Sequence, residues 1–185
     1  MLAAAAAMFF GYLGGMKEAS ADLEDAAQEA KKVESKETAV QVFFGNKNLN
    51  KNPGDCKVVF PVERMVPNDL IVKRRALEEI LVGPTAAEIE QGYYSAIPSK
   101  DEMISYREIR KQETGQAPYE GDEIKINSVK IMIGMAYVDF SPEVKVLAAD
   151  NCRMEMFKAQ FFQTAKQFPK VGGAIITVDG VEDIF

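Results

Sequence analysis

Ile124-Lys-Ile-Asn-Ser-Val-Lys-Ile-Met-Ile133, then Gly134, then Met135-Ala-Tyr-Val-Asp-Phe140, is the stretch on which the fold turns. Its Val, Ile, Tyr and Phe content reads as two strands joined around the glycine. Asp139 alternates outward between Val138 and Phe140, as a half-buried strand requires. The join itself is unusual. A tight turn projects into water and its central residues are normally polar, yet Ile133 stands there. Side chains alternate faces along a strand pair, so Ile131, Met132, Ile133 and Met135 cannot all enter one core. Met132, Ile133 and Met135 are therefore the candidate interaction residues. Cover by the insertion at 99–123 is the first expectation for them, and a contact for a partner protein or a membrane surface is the second.

On the C-terminal side, Asp150-Asn151 caps a long helix running to Phe168, with Phe157, Phe161 and Phe168 on one face and Pro169 as its stop. Ala174–Val178 is a last strand, followed by the tight-turn pair Asp179-Gly180. On the N-terminal side, Ala39–Phe44 and Lys57–Arg64 read as strands around the loop Asn46–Gly54. Pro61 puts the second strand at an edge or a bulge. Asn68 opens a helix with an apolar stripe of Leu70, Leu77, Ile80 and Leu81, and Gly83-Pro84 stops it. Thr85-Ala-Ala-Glu88 is a capping box for a short helix that Gly92 closes. The charged stretch Ser99–Glu123 has no assignment. The order ββα, short helix, ββαβ predicts an α+β sandwich of two layers, with two main helices on one mostly antiparallel or mixed sheet of about five strands.

The start of the chain is different in kind. Residues 2–16 are uncharged, too short for the roughly 20 apolar residues of a membrane span and suited to the roughly 7–15 of a signal h-region. Ala19-Ser20-Ala21 supplies a small-x-small cleavage pattern, and no Cys follows to take a lipid. The expected organisation is a signal peptide or hydrophobic anchor helix at 1–21, a charged helical linker at 22–38 and a folded domain at 39–185. The alternative is a buried N-terminal helix of a cytosolic protein.

Composition excludes several chemistries. The chain has no His, which removes Ser-His and Cys-His nucleophile pairs, His-ligated zinc and any imidazole base. A net charge of −6 argues against nucleic acid as a partner. Cys56 and Cys152 form no CxxC; they are two buried thiols in a cytosolic setting, or one disulfide in an exported chain. No catalytic, cofactor or metal residues emerge. Asp139 and Asp179 serve a strand and a turn; a glycosidase would need two carboxylates facing across a cleft, and the sequence does not pair Asp139 with a partner. Tyr93 and Tyr94 read as a core tyrosine with a neighbour at the rim, or as a ligand platform.

Four blocks, in order, are familiar: Leu77-Glu-Glu-Ile-Leu-Val-Gly-Pro-Thr85 through Glu88; Gly92 with Ser95-Ala-Ile-Pro98; Gly134-Met-Ala-Tyr-Val-Asp-Phe-Ser141; and Gln167-Phe-Pro169 with Val178-Asp-Gly180. Together they resemble the GerMN domain of sporulation and spore germination, from about Val40 to Gly180. The resemblance implies an α/β fold, an extracytoplasmic and usually membrane-tethered domain, and an accessory part in envelope assemblies, with no catalytic residues to carry over. The long 99–123 link and the apolar turn depart from the family pattern. The positions of Cys56 and Cys152 resemble a pair found in a subset of the family, which implies a disulfide with a Cα separation of roughly 4.4–6.8 Å. The function expected is a non-catalytic envelope module that binds an envelope protein or peptidoglycan, tethered through residues 2–16. The alternatives are a carboxylate-dependent enzyme acting on peptidoglycan or another wall glycan, and a structural subunit of a homo-oligomeric ring.

Overall fold

The computed structural model describes residues 37–182, so the signal or anchor helix within 1–21 and nearly all of the 22–38 linker lie outside the described residues. Strand β1 (Glu37–Asn46) pairs antiparallel with β2 (Phe60–Pro67), and at its far end with the two-residue β3 (Tyr93–Tyr94). Pro61 is accommodated because β2 is an edge strand, where a missing N–H disturbs no second ladder. Strands β4 (Ile126–Met132), β5 (Met135–Phe140), β6 (Gly173–Val178) and β7 (Val181–Glu182) form a second sheet in that order. β5 and β6 run parallel. Their crossover carries a 3-10 helix (Pro142–Ala149) and the long helix Asn151–Lys166. The other α-helices among the described residues are α1 (Val72–Val82), α2 (Ala86–Glu90) and α3 (Lys100–Thr114), so the long helix is α4.

Among the described residues, two sheets and seven strands replace the single sheet of about five expected from the sequence. The reason lies on α4. Gln160, Thr164 and Gln167 fall at i, i+4 and i+7, on one stripe of that helix. Gln160 Nε2 donates to the Phe43 carbonyl at 3.0 Å, and Phe43 N–H donates to Thr164 Oγ1 at 3.2 Å. Gln167 brackets Gln41 in the same way, accepting its N–H at 2.8 Å and donating to its carbonyl at 2.7 Å. A helix thus satisfies the edge of β1 that a neighbouring strand would otherwise take. Gln160 and Thr164 are fully buried, and Gln160 Oε1 also accepts the Ala96 N–H at 3.2 Å.

Beneath that stripe the core closes around Phe140, Phe157 and Phe161, whose ring centroids lie 4.7–5.2 Å apart. Val42, Phe44, Leu77, Ile80, Val138 and Leu147 complete it. Asp150 caps α4 as expected, its Oδ1 accepting the Arg153 N–H. Helix α1 begins later than expected. Neither Asn68 nor Leu70 belongs to it, and Leu70 is fully exposed, because Asp69 turns the chain by accepting the Ile71 N–H before the helix starts at Val72. β2 likewise begins at Phe60, three residues after the expected start at Lys57.

The unassigned stretch is mostly helix. Ser99 and Glu102 form a capping box for α3, and Gly115 ends it with φ of 78°. Tyr119 folds back and donates its hydroxyl to the Met103 carbonyl at 2.8 Å. Burial pushes that phenol up to about 12, so it remains a donor at neutral pH.

Candidate interaction site at the hairpin tip

The β4–β5 hairpin closes on the pair Met132 and Met135, leaving Ile133 and Gly134 as a two-residue turn. Both adopt positive φ, 49° for Ile133 and 76° for Gly134, the geometry that matches the right-handed twist of flanking strands. Glycine suits it. Isoleucine does not, since a left-handed backbone costs an L-residue roughly 1–2 kcal/mol and a β-branched one is a genuine outlier. The neighbouring loop holds the turn in place: Gly172 N–H donates to the Gly134 carbonyl at 2.6 Å.

Ile133 is 101% exposed, Met132 47% and Ile131 39%, while Met135 is half-buried. The insertion at 99–123 does not cover them, contrary to the first expectation. It is held at the other end of the hairpin, where Gly121 N–H donates to Glu143 Oε1 and Arg107 donates to the carbonyls of Glu120 and Gly121. Ile133 therefore bears backbone strain and full hydration together, and contributes nothing to the core.

The other candidates resolve into structural roles. Asp139 Oδ1 accepts from Thr177 Oγ1 and from the Gly180 N–H, each at 2.7 Å, and Oδ2 accepts from Asn127 Nδ2 at 3.2 Å. Burial would raise its pKa, but those three donors outweigh it and hold the carboxyl below its usual range. It ties β4, β5 and β6 together. Asp179 occupies the following turn at φ of 50°. The Tyr93 hydroxyl donates to the Pro61 carbonyl, and the Tyr94 ring packs where a side chain on Gly45 would stand, so both tyrosines are half-buried packing groups. Cys56 and Cys152 are joined by a disulfide, with Cα atoms 5.2 Å apart, linking the loop before β2 to the first turn of α4. An open groove of about 550 Å3 runs between α4 and β6, lined by Lys57, Glu155, Phe162 and Ile175 among others. Among the described residues no cluster of three or more Cys, Asp or Glu could hold a metal, and no helix is long and apolar enough to cross a membrane.

One feature of the tip escapes linear reading. Lys130 lies on β4, the Lys170 carbonyl lies beside the Gly134 turn and Lys166 Nζ lies over the Phe162 ring that packs on Gly173, so segments far apart in the chain are brought toward this end of the sheet by the β5–β6 pairing.

The class this geometry defines is a two-sheet α+β module that presents an apolar turn, with Asp139, Tyr93 and Tyr94 committed to holding the fold. The chain belongs to the Germane (GerMN) family, described as "sporulation and spore germination", whose pattern matches residues 41–183. Among solved structures it is similar to the first GerMN domain of the sporulation protein GerM from Bacillus subtilis, at 18% identity and a TM-score of 0.50, covering 78% of this chain and 85% of that one. The tandem GerMN domains of the same protein match at 15% identity and a TM-score of 0.46, covering 78% of this chain and 40% of that one. A putative lipoprotein from Clostridium perfringens matches at 16% identity and a TM-score of 0.41, covering 78% of this chain and 76% of that one. No curated protein matches the chain.

Proposed function

We propose that this chain is a non-catalytic, extracytoplasmic GerMN-type module that serves as an accessory binding or assembly component of a bacterial cell envelope, with the hairpin tip as its contact. The observation that carries the reading is Ile133, an apolar side chain that is fully exposed and conformationally strained. Strain kept at a surface position that the core does not need points to a function outside the fold. The commitment of Asp139 to three structural donors removes the best carboxylate from the alternative hydrolase reading. Photo-crosslinking from position 133 in the native cell tests the proposal. The expected result is an adduct with an envelope component, protein, wall or lipid, that a probe at exposed Val181 does not give. Absence of any product from position 133 contradicts it.

A further inference from the structure

We infer that the hairpin tip seats in the interface of an anionic lipid bilayer, an assignment that rests on the tip being the contact site. The apolar part is compact: Met132 and Ile133 project at the turn, and Ile131 is exposed behind them. Phe162 extends the surface, since its ring lies against Gly173, the residue paired with Met135, and is itself partly exposed.

Charge around the tip is one-sided. Segments 128–138 and 156–178 carry Lys130, Lys158, Lys166 and Lys170 and no Asp or Glu, in a chain of net charge −6; the acids that border them are Asp139, held by structural donors, and Glu155, ion-paired with Lys57. Lys130 is exposed two positions before Met132. The Lys170 carbonyl lies 3.5 Å from where a Cβ on Gly134 would stand, and Lys166 Nζ lies 6.0 Å from the centre of the Phe162 ring. Asp139 is four residues from Met135, about 13 Å at the usual rise of a strand, and Lys130, paired with Tyr137, stands between the two, within electrostatic reach of Asp139. The exposed acids Glu37 and Glu63 belong to the other sheet.

Two physical points favour lipid over a protein partner. A stable protein interface buries upwards of about 1,000 Å2 and is depleted in Lys, whereas this apolar surface is only a few side chains wide and lysine-flanked. An interfacial anchor asks for what is present: apolar side chains entering roughly 5–10 Å, and long lysine stems that lie along the acyl boundary with their ammonium groups among anionic headgroups.

The chain has no Trp, so Ile133→Trp provides a fluorophore that reports from the tip alone, however the rest of the full-length chain attaches. Vesicles of phosphatidylglycerol in phosphatidylcholine should shift its emission to the blue and expose it to quenchers placed within the bilayer. Pure phosphatidylcholine should do so weakly, and Val181→Trp, at the opposite end of the sheet, should stay wet on both. Adding Lys130→Gln, Lys166→Gln and Lys170→Gln should move the ratio of inserted to withdrawn tip by on the order of a hundredfold. If Ile133→Trp fails to fold, Met132→Trp takes its place. Wet emission on every vesicle overturns the lipid assignment, and so does an equal response to neutral and anionic vesicles. The binding-module reading fails separately, when position 133 gives no crosslink in the cell.

Discussion

The edge of β1 and the tip of the β4–β5 hairpin treat their exposed groups in opposite ways. At the β1 edge, polar backbone that no strand covers is matched group by group, with Gln160, Thr164 and Gln167 supplying donors and acceptors from one helix stripe. At the tip, apolar side chains stay in water on a strained turn, and the 25-residue insertion that could have covered them is held elsewhere. Burial makes an unmatched polar group costly, so the edge is constrained by folding alone. An exposed isoleucine costs the fold only its strain, so the tip is free to answer to something outside the chain.

That contrast can be broken first where the fold is tied down. The disulfide anchors the start of α4, the helix that seals β1. Replacing Cys56 and Cys152 by Ser should cost about 4–5 kcal/mol if the 96-residue separation acts through loop-closure entropy, read as a fall in the denaturant midpoint. Gln160→Leu strikes the seal itself. It keeps the volume but strands the Phe43 carbonyl and the Ala96 N–H in the core, for an expected loss of about 2–5 kcal/mol. A loss under about 1 kcal/mol would mean that the helix stripe is incidental to the edge.

How much of this was readable follows the same division. Local signals are legible because they depend on neighbours in sequence: the Thr85–Glu88 box and the Asp150 cap form as their residue types demand. Helix α3 carries the same kind of signal, Ser99 with Glu102 and a closing Gly115, though its charged sequence buries only Met103 and offers no apolar stripe to reveal it. The division into two sheets is not legible, because Gln160, Thr164 and Gln167 look like the solvated side of a helix until β1 lies against them. The tip was visible as an apolar turn, but its exposure and its lysine surround depend on where distant segments pack.

Acid should weaken the polar side of the structure with a definite sign. Arg64, hydrogen-bonded to Glu88, holds that carboxyl below its usual range, and the three donors on Asp139 do the same there. For a lowered carboxyl the stabilisation is complete above the unfolded value, about 4, and is lost as pH falls through the lower folded value. Stability measured from pH 6 downward should therefore decline below about pH 4. Asp139→Asn should flatten part of that decline, and an unchanged acid limb would remove Asp139 from the account.

The smallest effects are expected at the tip. Ile133→Gly should raise stability by about 1 kcal/mol through relief of the positive φ, and Met132→Ser should leave it within about 0.5 kcal/mol. The measurement that bears most directly on the central claim is equilibrium unfolding of the double variant Met132→Ser, Ile133→Asn beside the wild-type chain. An unchanged or higher denaturant midpoint is predicted, because asparagine accepts the turn geometry and neither side chain belongs to the core. A loss of about 2 kcal/mol or more, the cost of removing buried apolar groups, would contradict it.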